Sequence, residues 1–205
     1  ERGIFNRLSA GKQASATGRR ELHQEWGTNP CGEIILRPFG LCNLSEVVVR
    51  AGDTFDSLSR KVKIASIIGT FQSTLTDFKY IRSKWRHNAE EERLLGVSLT
   101  GIMDNSSLAI PTPELQTLLM SLKNVVIATN KEYADRLGIP RSVATTTVKP
   151  SGTVSQLVDS SSGIHPRHSA YYLRTVRADV KDPLAIFMKD KGVSCEQDVT
   201  NPNNL

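Results

Sequence analysis

The chain has 205 residues, 39% of them hydrophobic and 23% charged, which suits one globular domain, or a large part of a bigger one, and excludes a disordered chain. The formal net charge is +5, but the positive residues are dispersed rather than gathered into a stripe; nucleic acid is not expected, and a phosphorylated small molecule suits the same mild excess. Three cysteines without a CxxC pair exclude a zinc ribbon and a secreted disulfide scaffold, and no signal-like N-terminus or membrane-length apolar run is present, so a cytoplasmic protein with no membrane partner is expected.

In chain order, Glu1 to Trp26 is polar and without sustained periodicity, which predicts a loop with one short helix over Arg19 to Trp26. Pro30 and Gly32 punctuate Thr28 to Gly32, and the apolar run Ile34-Ile35-Leu36 follows, a turn feeding an extended segment. Asp53 or Thr54 is set to cap a long helix reaching about Ile81, with Leu58, Val62, Ala65, Ile68, Gly69 and Leu75 at helical spacing. Ala89 to Arg93 opens a second helical stretch, placing Glu90, Glu91 and Glu92 near its positive end. Leu95 to Met103 reads as a buried strand with a turn. Thr112-Pro113 starts a helix that Gly138 and Pro140 end at about Leu137. Ser142 to Val148 is a β-branched strand, Thr153 to Val158 a short helix, Tyr171 to Val176 a further strand and Pro183 to Lys191 a last helix. Alternation of this kind indicates an α/β fold. The chain starts at Glu1 without Met and stops at Asn204-Leu205, so an internal fragment is expected.

Asn29, Cys31 and Glu33 stand at i, i+2 and i+4, so an extended backbone would turn an amide, a thiol and a carboxylate to one face. Pro30 fixes the backbone ahead of the thiol, and Gly32 admits a close neighbour. Such a set has what radical deoxygenation of a sugar requires: a thiyl to abstract hydrogen, a carboxylate to take a hydroxyl proton, an amide to hold the ring. Spacing alone leaves open a buried structural cysteine with a surface carboxylate. A cysteine-hydrolase nucleophile is a further reading, without Cys–His surroundings to support it. Val148 to Ser155 reads as a strand, a tight turn and a helix start, a junction that offers free N–H groups to an anion or simply caps a helix. Lys149 there adds field or is solvated. His165-Pro166-Arg167-His168 reads as a polar turn rather than a metal or base site, so no metal is expected, and Tyr171 and Tyr172 read as packing residues.

The string Asn29-Pro30-Cys31-Gly32-Glu33-Ile34 resembles the finger-loop motif of ribonucleotide reductase large chains, above all the adenosylcobalamin-dependent class. Further stretches are similar to that family in the same order: Gly3 to Arg7, Gly69 to Lys79, Ala89 to Asp104, Val148 to Ser155, and Ser162 to Arg177. The last resembles the monomeric triphosphate-reducing branch. The resemblance implies a ten-stranded α/β barrel of which residues 1–205 form a middle-to-C-terminal portion of one catalytic domain. Its finger loop would lie at about 28–44 and its phosphate-binding turn at about 149–155. It implies that Cys31 carries the thiyl that removes the ribose 3′-hydrogen, that Glu33 takes the 3′-hydroxyl proton, and that Asn29 bonds the sugar. Cys42 would be one of two cysteines that reduce the 2′ carbon and end as a disulfide, with its partner upstream of Glu1. A buried structural Cys42, or a Cys31–Cys42 bridge, is the plainer alternative. Ser151, Gly152, Thr153 and Ser155 would hold the substrate phosphates, and Cys195 is expected to be structural. The implied cofactor is adenosylcobalamin. The implied partners are a ribonucleotide substrate, a thioredoxin-like reductant, and nucleotide effectors on the full-length enzyme. A glycyl-radical reductase, or a non-catalytic nucleotide-binding module on the same scaffold, is the alternative.

Overall fold

The computed structural model describes residues 4–205, so Gly3, the first residue of one family-like stretch, lies outside it. The chain divides into two compact units, Glu1–Arg167 and His168–Leu205.

In the first unit, helix α1 (Arg7–Ala14) is capped by Asn6, whose side chain accepts from the Ser9 N–H at 3.0 Å. The expected helix over Arg19 to Trp26 does not form; the helix lies earlier in the chain. Its buried face is Ala10, Gly11 and Ala14, residues too small to register as apolar periodicity. These pack on Trp26, which is 2% exposed. Strands β1 (Gly27–Thr28) and β2 (Ile35–Leu36) pair antiparallel as a short hairpin.

The centre of the unit is a parallel pair, β3 (Asn43–Val48) and β4 (Leu95–Thr100), in register from Asn43↔Leu95 to Val48↔Thr100. Residues 142–148 run beside β4 on its other edge. Val97 donates to the Thr145 carbonyl and accepts from the Thr147 N–H, giving an isolated parallel bridge rather than the full strand expected there.

Helix α2 (Phe55–Gln72) starts with a reciprocal Thr54–Ser57 capping box. It stops nine residues short of the expected Ile81, because the Ser73 and Thr74 hydroxyls take the Thr70 and Phe71 carbonyls, each at 2.7 Å, in place of further helical bonds. Leu58, Val62, Ala65 and Gly69 are buried as its spacing requires, but Ile68 and Leu75 are exposed. Helix α3 (Ser83–Glu92) begins six residues before Ala89, so its three glutamates lie at the C-terminal end, against the dipole, and not at the positive end. Arginines offset this: Arg86 pairs with Glu90, Arg37 with Glu91, and Arg20 with Glu92.

After β4, a 3-10 turn (Ile102–Asp104) and helix α4 (Ser106–Ala109) lead to α5 (Pro113–Leu137), capped by Thr112 and ended by left-handed Gly138. The core between α2, α5 and the parallel pair holds Val47, Val49, Leu58, Val62, Val97 and Val126. Helix α6 (Val154–Leu157) is a single turn.

The second unit contains α7 (Pro183–Asp190), capped by Asp182, and an antiparallel bridge between Asp179 and Asn204. Tyr171 to Val176 forms no strand. Tyr171 is 92% exposed and Tyr172 also lies at the surface, so the packing role expected of them fails for want of a sheet to pack on. Cys195 is exposed rather than structural. Among the described residues no helix is long and apolar enough to cross a membrane, and no cluster of three or more His, Cys, Asp or Glu residues could hold a metal.

Candidate active site

The β1–β2 hairpin exists to make a turn. The Gly32 N–H donates to the Asn29 carbonyl at 3.0 Å, and the Asn29 side-chain oxygen accepts from the Ile34 N–H at 3.0 Å. Gly32 takes φ +80°, a left-handed conformation that glycine adopts without strain. The segment is thus not extended, and strand alternation is not what gathers its side chains. They converge because the turn closes on residues 147–149. The Thr147 hydroxyl donates to the Glu33 carbonyl at 2.9 Å, and the Lys149 ammonium donates to Glu33 Oε1 at 2.9 Å and to the Cys31 sulfur at 3.7 Å.

The Glu33 side chain is only 8% exposed, and its Oε2 is buried with no hydrogen-bond partner. Burial pushes its carboxyl up, but Lys149, the backbone and Asn29 outweigh that and hold it below the ordinary glutamate value. The hydrogen bond to Glu33 in turn raises Lys149. Cys31 is exposed at the tip of the turn.

Cys42 enters from the head of β3 and shares a cleft of about 490 Å³ with Glu33, Arg20 and Asn130. It is a free thiol, not bridged to Cys31. Burial pushes its pKa up to about 12, Arg20 opposing and the charges of Glu33 and Glu92 adding. Arg20 and Glu92 themselves form a buried pair at 2.7 Å.

Two residues beyond Lys149 the backbone turns sharply, with Ser151 at φ +61° and Gly152 at φ +56°. Left-handed backbone at a serine is uncommon and clusters at ligand sites. The Ser151 hydroxyl is buried without a partner, which leaves it available to a ligand. Thr153 is exposed and makes no capping bond. Ser155 is fully buried and donates to the Gly152 carbonyl at 2.8 Å, so it shapes the turn instead of facing an anion as expected.

Lys149 is the residue that sequence reasoning undervalued. Its signal was position: a lysine ending a β-branched segment, next to a proline turn. His168 stacks edge-on with Tyr172, and His165 is exposed.

No protein-family model matches the chain. An adenosylcobalamin-dependent ribonucleoside-triphosphate reductase of Lactobacillus gasseri is 30% identical over 98% of the chain, and that of Levilactobacillus brevis 29% identical over all of it. The Lactobacillus acidophilus protein of the same name is 31% identical over 87%. The chain spans 29%, 31% and 27% of these relatives' respective lengths. A crystal structure of a B12-dependent (class II) ribonucleotide reductase matches 87% of this chain and 28% of that one, with a TM-score of 0.64 and 27% identity.

Proposed function

The chain is homologous along its length to the adenosylcobalamin-dependent ribonucleotide reductases, and on that footing we propose that it is the part of such an enzyme that carries its radical thiol. The reaction is the conversion of ribonucleoside phosphates, triphosphates by the relatives' names, to 2′-deoxyribonucleotides. The observation that carries this reading is the convergence of Cys31 and Glu33 on one turn, with the second carboxylate oxygen buried and unpartnered. A buried acceptor without a donor is costly unless a ligand supplies one.

Cys31, as a thiyl, takes the hydrogen from the ribose 3′ carbon, and Glu33 accepts the 3′-hydroxyl proton at Oε2. Asn29 holds the sugar. The 2′-hydroxyl takes a proton from the cysteine pair and leaves as water, while Cys42 and a second cysteine give two electrons and become a disulfide. Cys31 returns its hydrogen atom to the 3′ carbon as Glu33 returns the proton to the 3′ oxygen, regenerating the thiyl. A thioredoxin-like dithiol returns that disulfide to thiols. Ser151, Gly152 and Thr153 receive the phosphates, supported by the unpartnered Ser151 hydroxyl. Ser155 supports them only by holding the turn.

The residues fit the relatives' cofactor. Cys31 is exposed, and at Gly32 an added Cβ would meet nothing within 4 Å, so the sulfur is open to a bound group. Adenosylcobalamin, when bound, supplies the homolysis that oxidises the thiol. The parallel pair with its third extended segment supports a portion of a ten-stranded α/β barrel, with residues 28–44 as its finger loop. Nucleotide effectors and a cytoplasmic setting belong to the same reading. The relatives' cofactor disfavours the glycyl-radical alternative.

The test is turnover of a ribonucleoside triphosphate by the full-length protein with adenosylcobalamin and a dithiol. Deoxyribonucleotide should form, and Cys31→Ser should abolish it. Undiminished turnover in that variant would refute the assignment.

A further inference from the structure

Glu33 is a carboxylate with two unlike oxygens. Lys149 holds Oε1 at 2.9 Å, whereas Oε2 is buried and has no partner. The lysine that makes this distinction is itself fixed. Its backbone N–H donates to the Ser98 hydroxyl at 2.8 Å, on buried strand β4, and Pro150 stiffens the chain immediately after it. The same ammonium lies 3.7 Å from the Cys31 sulfur, so one cation spans the acceptor of the proton and the acceptor of the hydrogen atom.

We propose that Lys149 is a positioning residue: it ties one oxygen of Glu33 beside the Cys31 sulfur and thereby presents the other oxygen to the sugar's hydroxyl. This rests on the reductase reading above and deepens it by adding a residue that acts through Glu33. A buried carboxylate left alone would hold its proton and rotate freely about its last bond, and either change would end its use as a base. Lys149 opposes both, one by charge and the other by a directed hydrogen bond. Because residues 151–153 follow on the same short stretch, the lysine also places the base at a fixed distance from the turn that receives the phosphates.

The charged or titratable groups around Glu33 are Lys149 on the extended segment, Cys31 on its own turn, and Cys42 at the head of β3, with Arg20, Lys123, Lys131 and Arg141 lining the same cleft. Removal of Lys149 takes away the largest influence opposing burial and leaves the Glu33 backbone and Asn29 against it. The Glu33 pKa then rises, and the acid limb of the rate profile moves toward neutral pH.

The experiment compares kcat and KM across pH for the full-length reductase and its Lys149→Met, Lys149→Gln and Lys149→Arg variants, with thermal melts to establish folding. Both neutral variants should lose about tenfold or more in kcat, as expected when a general base is compromised. KM for the nucleotide should stay within about twofold, since the loss is in the transition state. Their acid limb should rise by about one pH unit or more, the usual effect of losing an adjacent opposite charge. Lys149→Arg should keep the wild-type limb, and if Lys149→Met fails to fold, Lys149→Gln carries the test. An unmoved limb in the neutral variants, or a moved limb in Lys149→Arg, overturns the proposal. The two readings fail differently: an inactive wild type sinks the reductase assignment. An active wild type silenced by Cys31→Ser, with Lys149→Met unchanged, sinks only the lysine's role.

Discussion

Cys31 and Cys42 are both free, yet they differ in access. Cys31 is exposed on a turn, while burial pushes Cys42 up to about 12, so at neutral pH Cys42 remains a thiol. Iodoacetamide at about pH 8, close to the ordinary thiol range, should therefore label Cys31 and exposed Cys195 well before Cys42. Peptide mass spectrometry reads the order, and early labelling of Cys42 would contradict it. Spacing made Asn29, Cys31 and Glu33 legible as a group in the sequence, although the wrong backbone geometry was inferred for them. The pairing of Lys149 with Glu33 was not legible, because it joins residues 116 positions apart.

At the scale of elements, the parallel pair controls where Cys42 points. Gly96 on β4 faces it closely: an added Cβ would come within 2.5 Å of Leu44 Cδ2, 3.0 Å of Thr147 Cγ2 and 3.2 Å of the Cys42 sulfur. Gly96→Ala should cost no more than about 1 kcal/mol, because the closest atom is the movable end of exposed Leu44 and the Cys42 sulfur borders the cleft, read from urea unfolding of the protein carrying this chain. A larger loss would show that the strand pair cannot yield. Helix α5 was fully legible because its Thr112-Pro113 start and Gly138 stop are local signals. Helix α1 was hidden by its alanine and glycine face. The ends of α2 and α3 were misjudged because serine and threonine hydroxyls, and arginines distant in sequence, decide them.

At the scale of the molecule, the chain spans under a third of the relatives' length. The proposed reduction of the 2′ carbon calls for two thiols besides the radical one, of which the first unit supplies Cys42. Helix α2 also leaves Ile64, Ile68 and Phe71 exposed along one stripe, an apolar face that calls for cover. Expressed alone, the 205-residue chain should reduce no ribonucleotide with adenosylcobalamin and a dithiol. Product formation by it would show that the two-thiol requirement is met within the chain. The α/β class was legible from the alternation of elements, whereas the ten-stranded barrel rests on resemblance alone, since residues 142–148 pair through a single bridge.

The most direct measurement is electron paramagnetic resonance of the full-length enzyme, frozen after mixing with adenosylcobalamin, reductant and nucleotide. A thiyl signal should appear in the wild type and vanish in Cys31→Ser. The same signal persisting in Cys31→Ser would place the radical on another sulfur and contradict the role assigned to this turn.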